Sequence, residues 1–107
     1  MSSITTQELK QQKTSDPNLV LIDVRTEGEI GEGMIPGAVW MDLSHKDFMT
    51  NVLALPKEKN YCLYCASGGR SMMVVPFLEE HGFTHVVDLE GGIMAWMSKG
   101  GEVVHSA

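Results

Sequence analysis

Basic residues are scarce in this chain. Lysine and arginine total 8 against 14 aspartates and glutamates, for a formal charge of −6, and they stand singly rather than in stripes. A nucleic-acid backbone is gripped through clustered cations, so DNA and RNA are excluded as partners. No apolar run approaches the length of a membrane span. Residues 1–8, Met-Ser-Ser-Ile-Thr-Thr-Gln-Glu, carry neither the basic start nor the apolar stretch of a signal peptide. The expectation is a cytoplasmic protein without a membrane partner. Repeats, low-complexity tracts and linkers are also missing. With 107 residues, 43% of them hydrophobic, the chain can build one modest core, and a single domain over 1–107 is expected.

Cysteine is as scarce as positive charge. The chain has 2, Cys62 and Cys65, too few for a disulfide framework. A zinc site would need a further Cys or His pair at ligand spacing, and His45, His81, His85 and His105 are not grouped in that way, so no metal is expected. A redox-active Cys-x-x-Cys pair would start a helix with both sulfurs. Here Cys62 lies inside Asn60-Tyr61-Cys62-Leu63-Tyr64, an apolar run that reads as a buried strand, and its expected role is core.

What is present is one strand-to-helix junction with chemistry in it. Cys65 opens the run Cys65-Ala66-Ser67-Gly68-Gly69-Arg70-Ser71, and Arg70 to His81 reads as a helix. A cysteine there would face backbone N–H groups and the positive end of a helix dipole, with Gly68 and Gly69 letting the loop turn those amides inward. Such surroundings favour the thiolate, the nucleophilic form. The plainer alternative is an inert cysteine buried at a strand end. It leaves two glycines and an arginine in the next five positions without a purpose.

Around this junction the chain alternates strand and helix. Ile4 marks a short strand, and Thr5-x-x-Glu8 is a capping box opening a helix through Ser15. Leu19 to Val24 is an apolar run broken only by Asp23, as in a strand covered on both faces. A short helix over Thr26 to Gly33, weakened by Gly28, Gly31 and Gly33, precedes a strand over Val39 to Leu43 and a helix capped by Ser44, carrying Phe48, Val52 and Leu53, and ended by Pro56. Pro76 should bend the helix after the cysteine loop, and His81-Gly82 should end it. His85 to Leu89 is the last strand, followed by a Gly91-Gly92 turn and a helix over Ile93 to Lys99. The 8 methionines and 2 tryptophans are expected in the core. The fold class is therefore α/β, a central, largely parallel sheet flanked by helices on both faces.

Leu21-Ile22-Asp23-Val24-Arg25, Glu29, Gly33-Met34-Ile35-Pro36-Gly37-Ala38, Cys65 to Ser71, Leu89-Glu90-Gly91-Gly92-Ile93 and Trp96 follow one another at characteristic spacing. In these residues, from about Ile4 to Gly100, the chain resembles a single-domain rhodanese, a sulfurtransferase of the thiosulfate sulfurtransferase-like family. The resemblance implies a rhodanese-like fold and no cofactor. It also implies a Cys65 that carries sulfane sulfur as a persulfide, taken from a donor such as thiosulfate and passed to cyanide or a thiol, a protein thiol included. Ala66, Ser67, Gly68, Gly69 and Arg70 would cradle that sulfur. Met34 stands where the family usually has histidine, Ile30 where an aromatic is common, and Gly28, Gly31 and Pro76 are further departures.

Chemistry assigns roles within that outline. Attack on thiosulfate expels sulfite, so the site must stabilise both a thiolate and a departing dianion. Arg70 offers a planar cationic fork, or is an ordinary helix-start arginine paired with a surface carboxylate. Ser67 and Ser71 are hydrogen-bond donors to the substrate, or merely loop and cap residues. Asp23 and Arg25 lie at the ligand-binding edge of the sheet, although a structural Arg25 paired with Glu29 or Asp23 is the favoured reading. Phosphatases and arsenate reductases of the same fold carry Cys-x-x-x-x-x-Arg, one residue more than the 4 between Cys65 and Arg70, which suits this loop to a single sulfur atom rather than a tetrahedral oxyanion. The other alternative is a binding or sulfur-delivery module with little thiosulfate turnover.

Overall fold

The computed structural model describes residues 3–105. Among the described residues ten elements alternate: β1 (Ser3–Ile4), α1 (Thr6–Ser15), β2 (Val20–Asp23), α2 (Glu27–Ile30), β3 (Val39–Trp40), α3 (Phe48–Leu53), β4 (Tyr61–Tyr64), α4 (Gly69–Glu80), β5 (Val86–Leu89) and α5 (Gly92–Ser98). The 5 strands form one sheet in the order β1-β5-β4-β2-β3. All pairings are parallel, with Asp23 opposite Tyr64 and Leu63 opposite Asp88. This is the expected α/β architecture.

Period-two alternation in β4 explains how two layers of helices are held. Tyr61, Leu63 and the following Cys65 face one apolar cluster with Phe48, Val52, Val74, Val75 and Leu78 of α3 and α4. Cys62 and Tyr64 face the other, with Leu9 of α1 and Ile93 and Trp96 of α5. A strand covered on both faces has no polar side to show, which accounts for the run of Tyr, Cys and Leu. α1 opens as expected, Thr5 Oγ1 accepting from the Glu8 N–H at 3.2 Å and Glu8 Oε1 from the Thr5 N–H at 2.9 Å.

Several expectations need correction. β3 spans only Val39–Trp40, both exposed at the sheet edge. Ser44 does not cap α3: Asp42 Oδ1 accepts from both its N–H (2.8 Å) and its hydroxyl (2.7 Å), closing a turn, and Asp47 precedes the helix. α4 runs through Pro76 without interruption, the proline and the Met72 four residues before it both lying on the exposed side. There the unpaired carbonyl is tolerated. Met49, Met72, Met73, Met94, Met97 and Trp40 are exposed rather than core, because Met73, 77% exposed, and its neighbours lie opposite the buried stripe of Ser71, Val74, Val75 and Leu78. Among the described residues no helix is long and apolar enough to cross a membrane.

Candidate active site

The carboxyl ends of β2 and β4 bring the candidate residues together, with α4 starting directly above them. Between β4 and α4 the chain makes a tight loop whose carbonyls are tied from outside: Cys65 O accepts from the Ile93 N–H at 3.0 Å and Ala66 O from the Met94 N–H at 3.1 Å. With its carbonyls held by the first turn of α5, the loop presents N–H groups to its interior. Two glycines permit this. Gly68 takes φ +106° just before α4. Gly92, at φ +60°, passes so close that an added Cβ would lie 2.5 Å from the carbonyl oxygens of Cys65 and Ala66. Gly69 is different from what the sequence suggests. It already has helical conformation and open space around it, so the loop needs only Gly68 for its left-handed step.

Cys65 Sγ lies within this ring, 1% exposed, accepting from the Gly68 N–H at 3.1 Å with Ser71 Oγ 3.6 Å away. Burial works against its thiolate. Hydrogen bonds from the Ser71 N–H and hydroxyl and from the Gly68 and Arg70 N–H groups outweigh burial and hold the thiol below its ordinary value. Cys62 has no such help. Buried in the opposite layer, its thiol is pushed up to about 12, first by burial and then by the charge of Asp88.

Arg70 does not stand free. Its Nη1 and Nη2 donate to Glu29 Oε1 and Oε2, each at 2.7 Å, and a thiolate at Cys65 adds a second, weaker stabilisation of the same cation. The sequence reading offered a surface carboxylate as one partner for Arg70, and Glu29 is that carboxylate. Arg25 is structural: its fork closes on the Asp23 carboxylate at 2.8 Å and bonds the carbonyls of Gly33 (2.6 Å) and Glu29 (3.2 Å). By holding α2, Arg25 places Glu29 in front of Arg70.

The two serines part company. Ser71 is fully buried against Cys65, whereas Ser67 is exposed at the rim. Asp88 escaped the sequence reading altogether. From β5 its carboxylate meets the Ser71 hydroxyl from below, 1% exposed. The available signal was an acid inside the apolar strand Val86-Val87-Asp88-Leu89. Among the described residues no group of three or more His, Cys, Asp or Glu side chains is placed to hold a metal ion.

The description of the Rhodanese-like domain matches residues 5–99. The chain belongs to the rhodanese-like domain family. It is 44% identical over 96 residues to a putative sulfurtransferase, YtwF, of Bacillus subtilis, covering 90% of each chain. A sulfurtransferase of Allochromatium vinosum is 32% identical, over 97% of this chain and 95% of that one. The crystal structure of a rhodanese-like domain protein from Staphylococcus aureus superimposes with a TM-score of 0.85 at 35% identity, over 100% of both chains. These similarities support sulfurtransferase activity in general terms. In this rhodanese-like domain the amides around Cys65 and the α4 terminus favour a negatively charged sulfur.

Proposed function

We propose that this domain moves sulfane sulfur from thiosulfate or a similar donor to cyanide or a thiol through a persulfide on Cys65. The observation that supports it best is the inward N–H ring at Sγ, with Gly68 N at 3.1 Å, around a thiol held below its ordinary value. The thiolate attacks the outer sulfur of thiosulfate. A new S–S bond forms at Cys65, the old bond to the sulfonate sulfur breaks, and its electron pair leaves on sulfite. The transferred sulfur, now terminal and partly anionic, takes the amides of Ala66 to Ser71 as its cradle, and Arg70 stabilises the departing oxyanion. The acceptor then attacks that terminal sulfur and releases Cys65 as thiolate, yielding thiocyanate from cyanide or a persulfide from a thiol. No cofactor enters the cycle.

A protein thiol is favoured among thiol acceptors by the exposed methionines Met72 and Met73 on the first two turns of α4 and Met94 on the first turn of α5, the two helices that start at the loop. Because both cysteines are free thiols in the fold, a cytoplasmic setting belongs to the same proposal. Thiocyanate formation from thiosulfate and cyanide tests it, comparing wild type with Cys65→Ala and Cys62→Ser. Activity lost in the first and kept in the second is expected. Equal activity in wild type and Cys65→Ala would overturn the reading.

A further inference from the structure

Asp88 is a buried acid that the sulfur chemistry leaves without a task. It is 1% exposed, its Oδ1 is in hydrogen-bond contact with Ser71 Oγ, and its Oδ2 has no partner among the described residues. Ser71 Oγ lies also 3.6 Å from Cys65 Sγ and 3.4 Å from the Gly68 carbonyl. A hydroxyl has one proton to donate and three acceptors here compete for it. An ionised Asp88 is the strongest of them and takes it. From the Ser71 hydroxyl Cys65 then meets lone pairs alone, which oppose the backbone N–H groups and favour the S–H form. With a proton on Oδ1 the direction reverses: Asp88 donates to Ser71 Oγ, and the Ser71 proton is released to a thiolate.

The surroundings of Asp88 favour that second arrangement. An ionised carboxylate with one oxygen unpartnered is costly in so dry a site, while a protonated one leaves only a neutral carbonyl oxygen without a partner. Burial, opposed by the Ser71 hydrogen bond, raises the carboxyl above its ordinary value. On its own face β4 sets Leu63 beside it, with Cys62 in the opposite layer although its thiol feels the Asp88 charge, and the Cys65 thiol shares Ser71 Oγ with it. β1 lies beside Asp88 through Ser3, and α5 (Gly92–Ser98) brings neither acid nor base. α4 offers Ser71, its Arg70 being held by Glu29.

We propose that Asp88 is a positioning residue for Cys65: it sets the direction of the Ser71 hydroxyl, drawing that proton away from Sγ when ionised and releasing it to Sγ when protonated. The proposal rests on Cys65 being the nucleophile of this site, but its consequence is read on the thiol itself. Asp88, Ser71 and Cys65 share one proton between two acids, so Cys65 titrates in two coupled steps rather than one.

The test is the pH dependence of Cys65 alkylation by iodoacetamide, on a Cys62→Ser background so that one thiol reports. Wild type should give a two-step profile. Asp88→Asn, whose amide N–H₂ donates permanently to Ser71 Oγ, should give a single step with its midpoint about one pH unit lower. In Ser71→Ala the same Asp88→Asn change should leave the midpoint unmoved. An equal shift with and without Ser71 would reduce Asp88 to a distant charge, and no shift in either would remove it from the site; both overturn the proposal. A measurement on the unaltered chain guards against misfolded variants. In ¹³C spectra of aspartate-labelled protein the Asp88 carboxyl should titrate above the ordinary aspartate value and change its midpoint when Cys65 is alkylated. Ordinary titration indifferent to alkylation contradicts the proposal. A domain that shows this coupling but moves no sulfur would refute the proposed reaction and leave the role of Asp88 intact.

Discussion

Arg70 and Glu29, 41 residues apart in sequence, are joined by two hydrogen bonds of 2.7 Å, so the cation next to the cysteine loop arrives with its own carboxylate. The pair fixes the plane of the guanidinium while both side chains remain partly exposed. Glu29 takes one N–H from each Nη, so an incoming oxyanion meets the remaining N–H groups of a fixed guanidinium rather than a mobile charge. Arg70→Ala should lower kcat/KM for thiosulfate about 30- to 150-fold, the effect of removing one oriented charged donor. Arg70→Lys should recover only part of the loss, because a point charge lacks the fork. Steady-state kinetics on the three proteins would expose an idle Arg70 as three equal values.

The same pair makes a prediction about acid. Hydrogen bonds from Arg70, against the cost of burial, hold the Glu29 carboxyl at about 2, down from its ordinary 4.5. A depressed carboxyl stabilises the fold above the ordinary value and loses that contribution as pH falls from about 4.5 toward 2. Thermal melts of wild type and Glu29→Gln should thus differ most near neutrality and converge at low pH. A gap that widens on acidification would mean the pair has been given the wrong sign.

Gly92 and Gly69 should respond oppositely to alanine. At Gly92 a Cβ meets two loop carbonyls at 2.5 Å with φ at +60°, so Gly92→Ala should cost about 2 kcal/mol or more and make Cys65 less acidic by displacing the loop. At Gly69 nothing lies within 4 Å of the new carbon and the backbone is helical, so Gly69→Ala should be neutral or stabilise by up to about 1 kcal/mol. Denaturant melts of both variants decide it; equal losses would show that the cradle does not depend on the close approach of α5.

Most of the layout is legible in local pattern. The Thr5–Glu8 box, the doubly apolar runs at β2 and β4 and the glycine after His81 are each set by residues close in sequence, and each forms where the pattern puts it. What escaped depends on residues far apart. Neither Arg70 nor Glu29 says which of several opposite charges it will meet, because the choice is made by Arg25 holding α2 against the sheet. Asp88 looks like any strand residue until the parallel pairing of β4 with β5 puts it under Ser71. The methionines were misplaced for a different reason: hydrophobicity says what a side chain tolerates, not which side of α4 it occupies.

Ring size should separate this domain from enzymes whose cysteine loops carry one residue more. With 4 residues between Cys65 and Arg70, the amide circle suits one sulfur atom, and the protein should transfer sulfur while hydrolysing aryl phosphates negligibly. A glycine inserted between Gly68 and Gly69 should widen the circle and depress sulfur transfer. Wild-type hydrolysis of a phosphate ester faster than thiosulfate consumption would show that loop length does not choose the substrate.

The most direct test is the mass of the cysteine peptides after incubation with thiosulfate and removal of the excess. Cys65, whose thiol is held low within the amide ring, should gain one sulfur, and Cys62, pushed up to about 12 in the opposite layer, should gain none. Addition of cyanide should return the Cys65 peptide to its original mass with an equivalent of thiocyanate released. An unmodified Cys65, or the extra sulfur found on Cys62 instead, would contradict the account.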